Sequence, residues 1–359
     1  MNYKIFTKMF VIICVLGLII VAVSTIYIDP FFHFHKPHPE FFYTLKSQRY
    51  QNDGILKHFE YDSIITGTSM TENFKTSEFD NLFNARSVKV SYSGAKFKEL
   101  NDAIKVAYNS GKNVKYVVRS LDLYNIAIDK DAARDDLGEY PVYLYNDNIF
   151  DDIKYIFNRD AFFGHTLKII KDKITGKNGG ITSFDEYSNW NKRYKFGREV
   201  VLSKYEYIPN VIQRDFSDSD LKIAVDNIKA NIVDLAKEHP ENTFYYLIPP
   251  YSVVWWGMQS NKGELVRMLE AEKLMIMMIL ECPNIQLFSF NLKSDIINNL
   301  DNYKDSTHYG EWINSDILRY MNEGKYRITK ENYEEYVENA YKVFMTQNYN
   351  VVNHNIILM

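Results

Sequence analysis

Cysteine is nearly absent: there are two in 359 residues, Cys14 and Cys282. One falls in an apolar run and the other near the end of a predicted helix. No disulfide framework holds this chain, so a large core must do so. Clustered cations are also missing. The 42 Lys+Arg stand against 46 Asp+Glu for a net charge of −4, with no basic stripe, which argues against nucleic acid as a partner. Phosphate-cradling glycine signatures do not occur either. Gly176-Lys177-Asn178-Gly179-Gly180 is turn chemistry without the spacing or flanking strand of a P-loop. A mean hydropathy of −0.32 excludes a chain with many membrane spans.

One local extreme stands out from that average. Residues 9–28 carry no charge, and at 1.5 Å per residue they reach across a hydrocarbon core of about 30 Å. Lys4 and Lys8 precede the run, whereas Asp29 follows it and the next cation is Lys36. The positive-inside rule therefore places the N-terminus in the cytoplasm and the remaining chain outside. A cleaved secretory signal is the competing reading, but the run exceeds the usual 7–15-residue apolar region of such signals. Immediately after it come Asp29-Pro30-Phe31-Phe32-His33-Phe34-His35-Lys36-Pro37-His38-Pro39. Three histidines invite a metal reading, yet no carboxylate or cysteine completes a ligand set there. An aromatic belt at headgroup level, with Tyr27, Phe31, Phe32 and Phe34, is the simpler expectation.

The body alternates short apolar runs with amphipathic ones. Strands are expected at 62–66, 87–90, 114–118, 244–248 and 285–290, and helices at 74–83, 95–110, 221–236 and 264–280. Such alternation implies an α/β fold: a flavodoxin-like, doubly wound, mostly parallel sheet with one N-terminal transmembrane helix. Residues 121–220 interrupt the pattern and read as a large insertion. The expected organisation is an anchor at 1–28, a juxtamembrane segment at 29–60, a sheet domain at 61–324 and a C-terminal extension at 325–359.

Two polar groups fall at the expected catalytic edge of that sheet. Gly67-Thr68-Ser69-Met70 follows the first strand and Asp305-Ser306-Thr307-His308 follows the last. An Asp three residues before a His can share one face of a helical turn with it. The carboxylate then holds one ring nitrogen and leaves the other free to take a serine proton. Beyond the fourth strand, Pro249-Pro250-Tyr251-Ser252-Val253-Val254-Trp255-Trp256 offers Tyr251 and Trp255 as a stacking face or acyl pocket, or equally as core beneath the insertion. After the third strand, Arg119 and Asp122 are further polar candidates for contact with substrate, with a structural role such as a buried ion pair as the alternative.

Together, the Ser69 and His308 blocks resemble the first and last blocks of the SGNH/GDSL hydrolase superfamily. Within it they resemble the membrane-anchored envelope branch, which includes the D-alanine-transfer protein of teichoic-acid modification and the alginate-type O-acetyltransferases. The resemblance implies Ser69 as nucleophile, His308 as general base and Asp305 as its orienting carboxylate. It also implies an oxyanion hole from the backbone N–H groups of Ser69 and Gly94. Two departures are plain. Thr68 replaces the Asp that usually precedes the nucleophile, and the third-block Asn, by resemblance a third oxyanion donor, is replaced by Arg119-Ser120-Leu121-Asp122, where Arg119 or Ser120 could substitute or the donor could be absent. The implied activity is acyl transfer or ester hydrolysis on a cell-surface glycopolymer of a bacterial envelope. It requires no cofactor, and the acyl donor would come from a membrane partner. The alternative is a non-catalytic surface protein of a polysaccharide pathway that keeps the fold.

Overall fold

β-Branched and aromatic residues gather in short runs, and these become the strands of the computed structural model, which describes residues 3–136, 140–146 and 148–350. Among the described residues the strands are β1 (Phe42–Tyr43), β2 (Ser63–Gly67), β3 (Ser87–Ser91), β4 (Tyr116–Ser120), β5 (Gly180–Ile181), β6 (Thr243–Ile248), β7 (Ile285–Ser289) and β8 (Arg327–Ile328). β1 and β5 form a small parallel pair. The other six form one sheet in the order β3-β2-β4-β6-β7-β8. Every neighbouring pair in that sheet is parallel except β7 and β8. The protein is thus α/β with a mostly parallel six-stranded sheet and one long apolar N-terminal helix.

Both faces of β2 and β3 are buried, as parallel strands require, and their sequences read as unbroken runs rather than alternation. The third strand lies two residues beyond its expected position, so Arg119 and Ser120 fall on β4 itself. Their polarity hides them from a pattern search, although both are fully buried. β8 is absent from the expected set because two residues carry no period. The helix Phe97–Asn109 turns Phe97, Leu100, Ile104 and Ala107 inward, at the 3-4-3 spacing of a helical stripe. From β2 the chain crosses to β3 on one side and then back to β4 on the other. That reversal opens a crevice at the C-terminal end of β2.

The chain divides into two units: the described residues within Met1–Glu60 and Asp135–Ser183, and those within Tyr61–Arg134 and Phe184–Met359. Residues 121–220 are therefore split between them, with only 135–183 joining the N-terminal segment. Residues 351–359 of the expected C-terminal extension lie outside the described residues.

In the first unit, the helix α1 (Tyr3–Ile28) is long and apolar enough to cross a membrane, with a mean hydropathy of 3.0 in its most apolar stretch. The Asp29 carboxylate ends it. It accepts the backbone N–H groups of His33, Phe34 and His35 at 2.7–2.9 Å and the Tyr155 hydroxyl at 2.7 Å. This turns the chain sharply, so Phe31 and Phe32 are buried rather than forming the expected lipid-facing belt. Phe31 packs with Leu144, Tyr155 and Ala161. The histidines point to separate partners. His33 pairs with Asp152 at 2.8 Å, His35 meets the Ile26 carbonyl at 3.1 Å, and His38 stacks on Tyr27.

In the second unit, Glu272 is fully buried on the helix Leu265–Ile279. It accepts the Tyr336 hydroxyl at 2.6 Å and the Asn291 amide at 3.2 Å. Tyr336 lies on the helix Tyr333–Thr346, so this carboxyl fastens the C-terminal helix to the sheet layer. Burial pushes Glu272 up from 4.5 to about 7, and the two hydrogen bonds offset only part of that rise. The folded chain then holds this proton more tightly than the unfolded one. Its stabilising contribution is complete below pH 4.5 and is lost as pH rises to about 7. Stability should fall across that window by on the order of 3 kcal/mol from this group. Glu272→Gln should flatten that part of the Tm-versus-pH curve, and an unaltered slope in the variant would contradict the assignment.

Candidate active site

β2 ends at Gly67, whose φ of +149° and close neighbours admit no side chain. A Cβ there would stand 2.4 Å from Ser120 Oγ and 2.6 Å from Thr71 Cγ2. The chain turns at once into a single helical turn, Ser69–Thr71. Thr71 Oγ1 donates to the Thr68 carbonyl at 2.9 Å and meets Ser91 Oγ at 2.8 Å. Asn314 Nδ2, from the helix Glu311–Asn322, donates to the Met70 carbonyl at 3.1 Å. Ser69 is therefore carried on a turn braced from three directions.

His308 arrives on the loop before that helix. Its Nε2 lies 2.7 Å from Ser69 Oγ. Its Nδ1 lies 2.8 Å and 3.0 Å from the two oxygens of Asp305. An ionised carboxylate only accepts, so Asp305 fixes the Nδ1–H tautomer and leaves Nε2 to accept the serine hydroxyl. The pair does not sit on a helical turn, contrary to the spacing argument. Instead Asp305 Oδ1 also accepts the backbone N–H groups of Thr307 and His308, both at 2.8 Å, folding the loop around its own carboxylate. Burial pushes Asp305 up, but the hydrogen bond and charge of His308 and those two N–H groups outweigh it and hold the carboxyl down at about 2. Asp305 is therefore ionised throughout the physiological range. The loop is further tied by Ser252 Oγ donating to the Ser306 carbonyl at 2.6 Å and Tyr303 OH to the Pro250 carbonyl at 2.8 Å.

Gly94 follows β3. The Tyr92 N–H donates to the Gly67 carbonyl at 2.8 Å, which draws this loop beside the Ser69 turn. Gly94 has a φ of +65°, and the Arg134 guanidinium stands where a Cβ would be, at 2.5 Å. Arg134 also donates to the Ser93 carbonyl at 2.6 Å.

The four candidates for contact with substrate are buried. Arg119 is fully buried, donating to the carbonyls of Asn231 at 2.7 Å and Phe97 at 3.1 Å. Tyr251 and Trp255 are buried and stacked 4.2 Å apart. Asp122 is fully buried beneath the site. It accepts the hydroxyls of Tyr251 at 2.7 Å, Thr68 at 2.9 Å and Ser120 at 3.4 Å. Burial pushes its carboxyl up, and the Tyr251 and Thr68 hydroxyls offset that in part. These residues belong to the interior because a carboxylate inside a sheet needs donors, and Thr68 and Tyr251 supply them. Neither Arg119 nor Ser120 reaches out to offer a third oxyanion donor.

Residues that the sequence did not single out do reach the site. The Trp190 and His308 rings meet edge to face, with centroids 5.7 Å apart, and the Trp190 backbone N–H donates to Asn73 Oδ1 at 3.1 Å. Lys304 Nζ sits 4.2 Å from the Trp190 ring and 3.8 Å from that of Tyr194. Phe196 packs between Trp190 and Trp312. Tyr194 and Trp312 are exposed, making an aromatic ledge that runs outward from the histidine. Segment 184–220 has no periodicity to reveal this, and only its density of rings was a signal.

Comparison with protein-family models, characterised proteins and solved structures yields no match. Replacing Asp122 with Asn turns an amide N–H₂ toward hydroxyls that now donate, so Asp122→Asn should destabilise the fold by about 1–3 kcal/mol in denaturant titration. A midpoint equal to that of the wild type would contradict the buried network.

Proposed function

We propose that this chain is a membrane-anchored, extracytoplasmic serine-type acyl-transfer enzyme that acts on a cell-surface glycopolymer. The observation carrying the reading is the continuous relay Ser69 Oγ, His308 Nε2, His308 Nδ1 and Asp305, with links of 2.7 Å and 2.8 Å. The strand order of the sheet matches the flavodoxin-like doubly wound arrangement, and the resemblance of the two motif blocks to SGNH/GDSL hydrolases fits it. The helix α1 would act as an uncleaved anchor with the N-terminus in the cytoplasm, keeping the enzyme at the membrane where its polymer is built.

In the proposed reaction His308 takes the proton as Ser69 Oγ attacks the acyl carbonyl of the donor. The oxyanion forms against backbone N–H groups, that of Ser69 and that of Gly94. A preorganised donor of this kind is worth about 3 kcal/mol in the transition state. Collapse breaks the bond to the donor's leaving group, which takes the proton from His308 and departs. The acceptor hydroxyl then gives its proton to His308 and attacks the acyl-Ser69 ester; collapse breaks the bond to Ser69 Oγ, which takes that proton back from His308 as the acylated acceptor leaves. Water in place of the acceptor gives hydrolysis, so transferase and esterase share one machinery. Asp305 stabilises the imidazolium formed in each half.

The aromatic ledge suits a sugar ring, whose apolar face stacks on Trp or Tyr while its hydroxyls stay solvated. Lys304 places a cation beside it. A membrane protein delivering the acyl group would complete the system, as the family resemblance implies.

A serine-directed fluorophosphonate should label the full-length wild type and spare Ser69→Ala. Asp305→Asn should slow labelling by roughly 10³–10⁴-fold. Equal labelling of wild type and Ser69→Ala would favour a non-catalytic binding protein instead. With an oligosaccharide acceptor, Trp312→Ala should raise KM and leave kcat nearly unchanged, since the ring would bind acceptor without touching the reacting atoms.

A further inference from the structure

The first unit exposes a set of large apolar side chains whose position along α1 is informative. Residues Tyr3–Ile20 of α1 are bare on every side. Burial begins only at Val21 and Ala22 and is complete at Thr25 and Ile28. The elements that cover this last stretch are the short helix Ile153–Ile156 and the helical turn Asp160–Thr166, which runs on into Leu167–Ile174.

Depth follows from length. The uncharged run begins at Met9, and Val21 is only about 18 Å further along the helix axis. A hydrocarbon core is about 30 Å thick. Elements packed beside residues 21–28 therefore share the depth of its outermost part. They are not built like an aqueous surface there. Phe150 is 82% and Phe163 65% exposed, and Ile153, Phe157 and Leu167 join them. Ile153 and Phe157 are four residues apart, on the side of their turn away from fully buried Tyr155. Phe163 and Leu167 repeat that spacing, opposite Phe162, Thr166 and Ile169, which face the unit. Lys154, Lys168 and Lys171, all exposed, flank these rings. Long cationic stems beside apolar faces suit the boundary between acyl chains and anionic headgroups.

We infer that residues 149–174 form a collar around the end of α1 that is seated in the outer leaflet of the bilayer, so that the first unit grips the membrane by a surface as well as by a helix. This rests on α1 being an uncleaved anchor. The partner is lipid rather than protein because the exposed face is continuous with the membrane helix and lies at its depth. The Tyr155 hydroxyl on Asp29 at 2.7 Å and the His33–Asp152 pair at 2.8 Å fasten the chain at the helix terminus to the collar itself.

The test uses the full chain in phosphatidylcholine/phosphatidylglycerol vesicles. Each version carries one cysteine labelled with an environment-sensitive fluorophore, the others being serine. The labelled positions are native Cys14, Phe157→Cys, Phe163→Cys and Glu241→Cys on the sheet unit. Positions 157 and 163 are exposed, so labelling them leaves the core intact. Labels at 157 and 163 should shift to the blue and be quenched by lipids carrying a doxyl group near the headgroup. Cys14 should be quenched by deeper doxyl lipids, and 241 should behave as in water. Quenching at Cys14 with water-like emission at 157 and 163 would overturn the collar and leave the anchor standing. Blue-shifted labels that lipid does not quench would mean that protein covers this face, which also overturns it. An unquenched Cys14 would overturn the anchor itself.

Discussion

A buried carboxylate must be surrounded by donors, and in this fold that requirement falls on Asp122. It sits at the end of β4 with no exposure and is held by Thr68 from the turn after β2 and Tyr251 from the loop after β6. Removing any partner would leave a charge or a lone pair stranded in the interior, which costs far more than an ordinary hydrogen bond contributes. The consequence is geometric. Three strand ends are locked together under Ser69, which is carried on a turn held by these hydrogen bonds. The same region carries the second constraint, an Asp305 loop wrapped on its own carboxylate and pinned by Ser252 and Tyr303 to the β6 loop. Both halves of the relay are thus oriented by hydrogen bonds to one loop, the one after β6.

Much of this was legible in the residues because parallel strands buried on both faces leave continuous apolar runs. The Ser69 and His308 blocks were found because each follows such a run. Their joining is a matter of tertiary register, with Ser69 Oγ and His308 Nε2 at 2.7 Å. The spacing of Asp305 and His308 pointed to the right pair for the wrong local reason, since a turn folded on a carboxylate and a helical turn both bring residues three apart together. For Arg119, Asp122, Tyr251 and Trp255 the sequence leaves substrate contact and burial both open, because polar and aromatic residues at a sheet edge carry no label for inside or outside; all four are buried. Their hydrogen-bond partners are distant in sequence, and only the fold pairs them. Trp190 and Tyr194 come from a segment without periodicity, where the position of Trp190 depends on contacts to Asn73 and His308 rather than on local propensity, and Lys304, beside Asp305, is placed by these two rings.

The long first helix and the sheet draw on different physics. The sheet unit is stabilised by a core closed on both faces and by polar groups satisfied inside it. The N-terminal unit is organised around Asp29, whose four acceptor contacts end the apolar helix and fold Phe31 and Phe32 inward. A short aromatic segment after an apolar run can equally be a belt in headgroups or the start of a packed unit. One carboxylate in the right place chooses the second.

The central claim is a covalent one, that acyl groups pass through Ser69, and intact mass measurement tests it most directly. Full-length protein is mixed with an activated acetyl ester, quenched in acid at early times, and digested for peptide mapping. The account predicts a mass increase of one acetyl group on the peptide carrying Ser69. The adduct should form in the wild type, be absent in Ser69→Ala and form far more slowly in His308→Ala. Acetyl found only on lysines, or in equal amount on Ser69→Ala, would contradict it.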